Sequence, residues 1–169
     1  MLIASMNPSP SGFFNDPDSA TVFSTSEMQR YMSRISGPLL DRIDIHIEVT
    51  PVPFEQLSDR RKGESSAVIR TRVVKARALQ TERFKQSDGI HYNAQMSTNH
   101  IRTFCRLNAS ASAVLKSAMD RLNLSARAYD RILKVSRTIA DLSQEPQIQE
   151  EHITEAIQYR SLDREGWLG

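Results

Sequence analysis

Hydrophobic positions follow one rhythm before about residue 55 and another after residue 60. In the first part, Leu2 to Met6 is a short apolar run stopped by Asn7-Pro8, which suits a buried strand better than a helix. Ser9 to Thr25, rich in Pro, Ser, Asp and Asn, reads as a long loop. Ser26 is an N-cap type with Gln29 three residues on, a capping-box pattern. Met28, Tyr31, Met32 and Ile35 then recur at helical spacing until Ser36-Gly37-Pro38. Ile43, Ile45, Ile47 and Val49 alternate with Asp44, His46 and Glu48, the pattern of a half-buried strand, and Pro51 and Pro53 close it.

The second part reads as helices only. A long helix runs from Glu64-Ser65-Ser66 to about Gln86, with Val68, Ile69, Val73, Ala76 and Leu79 as its apolar stripe. After a linker containing Asp88-Gly89, Ser97 caps a short helix bearing Ile101, Phe104 and Cys105. Further helices are expected over about 110–122, from Ser125 to about Leu142, and from Ile148 to about Tyr159. The tail from Asp163 holds Trp167, a packing anchor. The predicted fold is mainly α: two strands and one helix as the remnant of an α/β unit over residues 1–56, then a helical bundle over 57–169.

Composition alters little. The 169 residues are 39% hydrophobic and 25% charged, ordinary globular values that exclude collagen, wholesale disorder and a disulfide scaffold. A lone Cys105 makes neither an internal disulfide nor a metal cluster, and no run approaches the ~20 apolar residues of a membrane span. These features fit a soluble, cytoplasmic chain with no membrane partner. The net charge of +2 conceals an uneven distribution. Residues 60–86 carry nine basic side chains against Glu64 and Glu82, so this stretch is +7 and the remainder −5. Arg70, Arg72, Lys75 and Arg77 could track a phosphate backbone, or simply form a solvated helix face.

No phosphate-cradling G-x-x-x-x-G-K-[ST], no H-E-x-x-H, no C-x-x-C and no nucleophile elbow occurs. Three local features remain. Asn7 ends an apolar run, where open α/β sheets bind ligands, although on the residues alone an Asn-Pro turn is the better explanation. Asp41 and Arg42 sit between apolar neighbours. Arg suits bidentate phosphate contact, and a surface ion pair is the plain alternative. Arg127 falls in the first turn of the helix capped by Ser125, where the dipole disfavours a cation unless it meets an acid or a phosphate.

Leu2-Ile-Ala-Ser-Met-Asn-Pro8, Arg34-Ile-Ser-Gly-Pro-Leu-Leu-Asp-Arg-Ile-Asp44, Gly63-Glu-Ser-Ser66, Leu124-Ser-Ala-Arg-Ala-Tyr-Asp-Arg-Ile-Leu-Lys-Val135 and Ile153-Thr-Glu-Ala-Ile-Gln-Tyr-Arg160 occur in this order. Together they resemble the magnesium chelatase-like AAA+ ATPases, closest to the competence-associated ComM-type branch. The resemblance implies that Asn7 is the sensor 1 residue, contacting the γ-phosphate and the attacking water. It implies that Arg42 is an arginine finger reaching a neighbouring subunit's nucleotide, with Asp41 an interface residue beside it. Arg127 would be the sensor 2 arginine of a helical lid. ATP and Mg²⁺ are the cofactors this implies for an intact parent.

Two departures stand out. Many family members carry four cysteines where this chain has Ser9, Ser11, Thr21 and Phe23, so no structural zinc is expected. The family's phosphate-binding loop and Mg²⁺-binding strand would lie before Leu2. The chain is therefore expected to be a C-terminal portion that neither binds nor hydrolyses ATP alone, whose first ~25 residues pack poorly while residues 60–160 hold a core. The resemblance implies an upstream ATPase core and neighbouring subunits of a homo-hexameric ring as partners, with DNA remodelling in recombination or transformation as the task. Two alternatives stay open: a non-enzymatic module binding nucleic acid or protein through the basic 60–86 helix, and, more distantly, a metal-chelatase motor subunit.

Overall fold

Helix starts are set by capping chemistry. In the computed structural model, which describes residues 2–7, 9, 24–40, 42–49, 52 and 63–160, Ser24, Ser65, Asn108 and Ser125 each accept a backbone N–H from the first turn that follows. The helices they open are α1 (Thr25–Met32), α3 (Ser66–Arg83), α5 (Ala109–Arg121) and α6 (Ala126–Leu142). Between them lie the single-turn α2 (Gly37–Leu40), a 3₁₀ turn at Asn93–Gln95 and α4 (Thr98–Phe104); α7 (Glu150–Gln158) follows. Among the described residues the fold is mainly helical, as the pattern predicts. No helix there is long and apolar enough to cross a membrane.

The core lies in the second part. Phe84, Ile101, Leu115, Ile132, Ile148 and Ile153 belong to one buried cluster. The central element is α6, which packs against α7 on one side and α3 on the other, with α4 and the 3₁₀ turn also against it. A single parallel bridge between Leu107 and Ile148 starts α5 and α7 side by side, and the Asn108 amide donates to Gln149 Oε1 at 3.1 Å. Helices α5 and α6 each end with a residue in the left-handed region, Asn123 (φ 46°) and Gln144 (φ 61°). The next N–H then returns to the helix, from Leu124 to Met119 O (3.1 Å) and from Glu145 to Ala140 O (2.8 Å).

Several expectations are corrected. Neither predicted strand forms among the described residues: Leu2–Met6 and Ile43–Val49 carry no strand pairing. A strand is defined by its hydrogen-bonded neighbour, and alternation alone does not supply one. Nor do the apolar positions form the covered side. His46 is buried while Ile47 and Val49 are 72% and 86% exposed. Leu2 and Ile3 are exposed as well.

The first helix starts earlier than Ser26 because the capping box is Ser24 with Glu27. The Glu27 carboxylate accepts the Ser24 N–H and hydroxyl at 2.9 and 2.7 Å, a better acceptor than the Gln29 amide. Those hydrogen bonds hold the Glu27 carboxyl below its usual range. The helix ends at Ser33, and Gly37–Leu40 form a turn of their own.

The stripe of α3 is also wrong at four of its five positions. Val68, Ile69, Val73 and Leu79 are exposed, and the buried positions are Ala76 and Gln80. Small and polar side chains line this face because an ionic network lies where α3 meets α6. Arg83 donates to both oxygens of Asp141 at 2.7 and 2.5 Å and to Asn93 Oδ1 at 2.8 Å.

Candidate functional site

Arg127 stands in the first turn of α6, exposed, behind the cap in which Ser125 Oγ accepts the Ala128 N–H at 3.1 Å. No acidic side chain shares that turn. One turn further, on the same helix face, Arg131 pairs with Asp44. Asp44 is two residues past Arg42, so the ion pair brings the Arg42 segment onto the helix that carries Arg127. Two more contacts hold this segment. The His46 N–H donates to the Tyr159 carbonyl at 2.8 Å, and the buried Arg160 guanidinium donates to the Ile43 carbonyl.

Arg42 is exposed at the end of α2, and its Nη1 donates to the Pro38 carbonyl at 2.7 Å, closing that single turn. Asn7 is exposed, and its carbonyl accepts the Tyr31 hydroxyl at 2.9 Å, which ties it to α1. The described contacts thus join the Arg42 segment to α6 and attach Asn7 to α1. Asp41 lies outside the described residues, as do Ser11, Thr21, Phe23 and Trp167. Among the described residues no three His, Cys, Asp or Glu side chains are grouped to hold a metal ion.

The basic side chains of α3 divide between two faces. At ~100° per residue, Arg70 and Arg77 point one way and Arg72 and Lys75 another. Arg77 lies 5.1 Å from the centre of the Tyr92 ring, itself exposed. Arg72 is engaged bidentately by Glu64, at 2.8 and 3.0 Å. Arg72 thereby holds the Glu64 carboxyl below its usual range, and Glu64 raises Arg72 in return. Thr71, Arg72 and Lys75 line a shallow cavity of about 380 Å³ with Leu142 and Gln144. Lys85 pairs loosely with Glu82 at 3.5 Å, and Arg83 is committed to Asp141.

Residues 63–160 match the family described as magnesium chelatase, subunit ChlI C-terminal, and residues 1–57 match magnesium chelatase, subunit ChlI. The chain belongs to the magnesium chelatase ChlI family. Among its relatives is the Haemophilus influenzae competence protein ComM, 43% identical over 164 residues, which are 96% of this chain and 31% of that protein. The uncharacterized Escherichia coli protein YifB is 39% identical over 165 residues, again 96% of this chain and 31% of the relative. An uncharacterized Mycobacterium tuberculosis protein is 33% identical over 142 residues, 84% of this chain and 27% of its own length. The chain therefore spans about a third of the length of the curated relatives it matches.

These matches give the clamp around Asp44 a further meaning. Asn7 and Arg42 fall in the first ChlI segment and Arg127 in the second. The Arg131–Asp44, Tyr159–His46 and Arg160–Ile43 contacts join the two segments. Sequence reasoning missed Arg131, Arg160 and Asp44, because partners 87 and 117 residues apart leave no local signal. It also missed the Arg137–Asp141 pair on the inner face of α6, although spacing of four residues made that pair readable.

Proposed function

We propose that this chain is the C-terminal part of a magnesium chelatase-like AAA+ ATPase subunit that works in a cytoplasmic ring, a hexamer. In this reading Asn7 is sensor 1, Arg42 the arginine finger with Asp41 beside it, and Arg127 sensor 2. ATP is the substrate and Mg²⁺ its counter-ion. The intact assembly couples hydrolysis to DNA remodelling during recombination or transformation, a role drawn from the 43% identity to a protein named for competence.

The observation that carries the reading is the position of Arg127, an exposed cation in an acid-free first turn of α6, beside the segment that bears Arg42. A helix N-terminus opposes a cation by a few tenths of a kcal/mol and attracts an anion, so a phosphate placed there suits the chemistry of both the arginine and the helix end. Guanidinium groups match phosphate oxygens bidentately and stay charged at any working pH. In the transition state, a finger of this kind stabilises charge on the transferring phosphoryl group.

The test is a chimera in which this chain replaces the matching third of the Haemophilus protein, assayed for Mg·ATP hydrolysis. Arg42→Ala should lower kcat by about 10³-fold or more, the range for such fingers, and Arg127→Ala should lower it too. A chimera that hydrolyses ATP equally well with both substitutions refutes the assignment.

A second reading, contact with nucleic acid through α3, is supported by Arg77 stacked against exposed Tyr92 with Arg70 on the same face. Arg72 and Lys75, on the other face, complete the original basic set, but Arg72 is engaged by Glu64.

A further inference from the structure

We infer that Arg131 and Arg160 are positioning residues that lock the Arg42 segment onto the helical bundle, so that Arg42 and Arg127 are presented by one rigid body. The functional meaning of this lock rests on the nucleotide reading above; its physical content does not.

Residues 43–46 are fastened from two helices at once. Helix α6 contributes Arg131 to Asp44, and the end of α7 contributes the Tyr159 carbonyl to the His46 N–H and the Arg160 guanidinium to the Ile43 carbonyl. Arg160 is only 1% exposed. A guanidinium is costly to bury, and this one donates a hydrogen bond to a carbonyl 117 residues away. Hydrophobic burial does not hold the segment, because Ile45, Ile47 and Val49 face outward and are exposed. The attachment is therefore polar and specific, and single side chains can release it.

The geometry is short on both sides of the clamp. Two residues of chain span at most about 7 Å, which bounds the separation of Arg42 from Asp44. Four residues of helix rise about 6 Å, the separation of Arg127 from Arg131. Each arginine thus sits within about 7 Å along its own backbone from one end of the same ion pair. A rotation of the bundle that moves Arg127 carries Arg42 with it. Without the clamp, these three attachments to the bundle are lost and the two arginines can move independently.

The test uses the 169-residue chain and two readouts that involve no nucleotide. Spin labels at Glu48→Cys and Tyr129→Cys, both exposed positions outside the clamp, report the distance between segment and α6; buried Cys105 is replaced by Ser. Amide exchange at His46 reports the Tyr159 hydrogen bond. The parent should give one narrow distance distribution and a His46 amide slowed about tenfold or more relative to unstructured chain. Arg131→Glu should broaden the distribution and remove most of that protection. Combining it with Asp44→Arg should restore both, which loss of generic stability would not do. Arg160→Met should release His46 as well, and if it unfolds the bundle the Arg131 and Asp44 pair still decides. A broad distribution in the parent, or Arg131→Glu matching the parent in both readouts, overturns the inference. Failure of the ATPase chimera to respond to Arg42→Ala would overturn the nucleotide reading and leave the clamp standing.

Discussion

Asp141→Asn is the sharpest test of how the bundle is held together. Asp141 is fully buried on α6 and accepts four hydrogen bonds. Two come from Arg83 at 2.7 and 2.5 Å, one from Arg137 Nε at 3.1 Å and one from the Asn93 amide at 2.8 Å. Arg137 is almost as buried, and its other nitrogens donate to the Glu145 and Pro146 carbonyls at 2.6 and 3.0 Å. Burial pushes the Arg137 guanidinium below its ordinary range, and Asp141 opposes that shift.

One carboxylate therefore compensates two guanidinium groups drawn from α3 and α6. Asparagine keeps the volume and removes the charge, leaving two cations facing neutral partners and each other. Breaking a buried ion pair from one side costs roughly 3–5 kcal/mol. At roughly 2–4 °C per kcal/mol for a chain of this size, Tm should fall by roughly 6–20 °C. Urea unfolding followed by helical circular dichroism should show a lower midpoint with an unchanged slope. Arg137→Met should cost less, because Asp141 keeps both Arg83 bonds and Asn93. A loss under ~1 kcal/mol in Asp141→Asn, or a larger loss in Arg137→Met, would refute this account of the network.

Other outcomes follow from the same structure. Burial pushes the Cys105 thiol from 9.0 up to about 12. It should resist disulfide reagents in the native state and react at a rate set by unfolding. Since unfolded chain loses this proton near its ordinary value and native chain only near 12, Cys105 should destabilise the fold progressively as pH rises from about 9 to 12, and Cys105→Ala should flatten that slope. Ile153→Ala, at a fully buried site, should cost roughly 2–5 kcal/mol in denaturant unfolding, whereas Ile47→Asp on the exposed side of the 43–49 segment should stay within ~0.5 kcal/mol; equal losses would mean that the segment packs through its isoleucines. For the nucleic-acid reading, Arg70→Ala with Arg77→Ala should weaken binding to single-stranded DNA and flatten its salt dependence, while Arg72→Ala should do little because Glu64 holds Arg72; no salt dependence in the parent removes that reading.

Much of the bundle was legible because its helices obey local rules. Ser125 caps the helix it was expected to cap, and Ile132, Leu133, Ser136 and Ile139 fall on the buried face of α6, while Tyr129, expected beside them, is exposed. Proline and the left-handed Gln144 separate α6 from α7 at the expected place. These features depend on spacing within one or two turns, which a linear pattern records. The family itself was also readable, since its motifs are contiguous runs.

Burial over 43–49 and along α3 was not legible. Alternation at Ile43–Val49 specifies which side chains share a side but not which side meets the protein. The polar side docks here because Asp44 and the His46 backbone find partners on α6 and α7. The apolar stripe predicted for α3 has helical spacing, yet four of its five residues stay exposed because α6 meets this helix through Ala76, Gln80 and the Arg83–Asp141 pair. Sequence alone determined the helices, their caps and the kinship, all set by neighbours along the chain. Tertiary structure alone decided which faces are covered and that Arg42 and Arg127 share one framework, because both depend on partners up to 117 residues away that only the folded chain brings together.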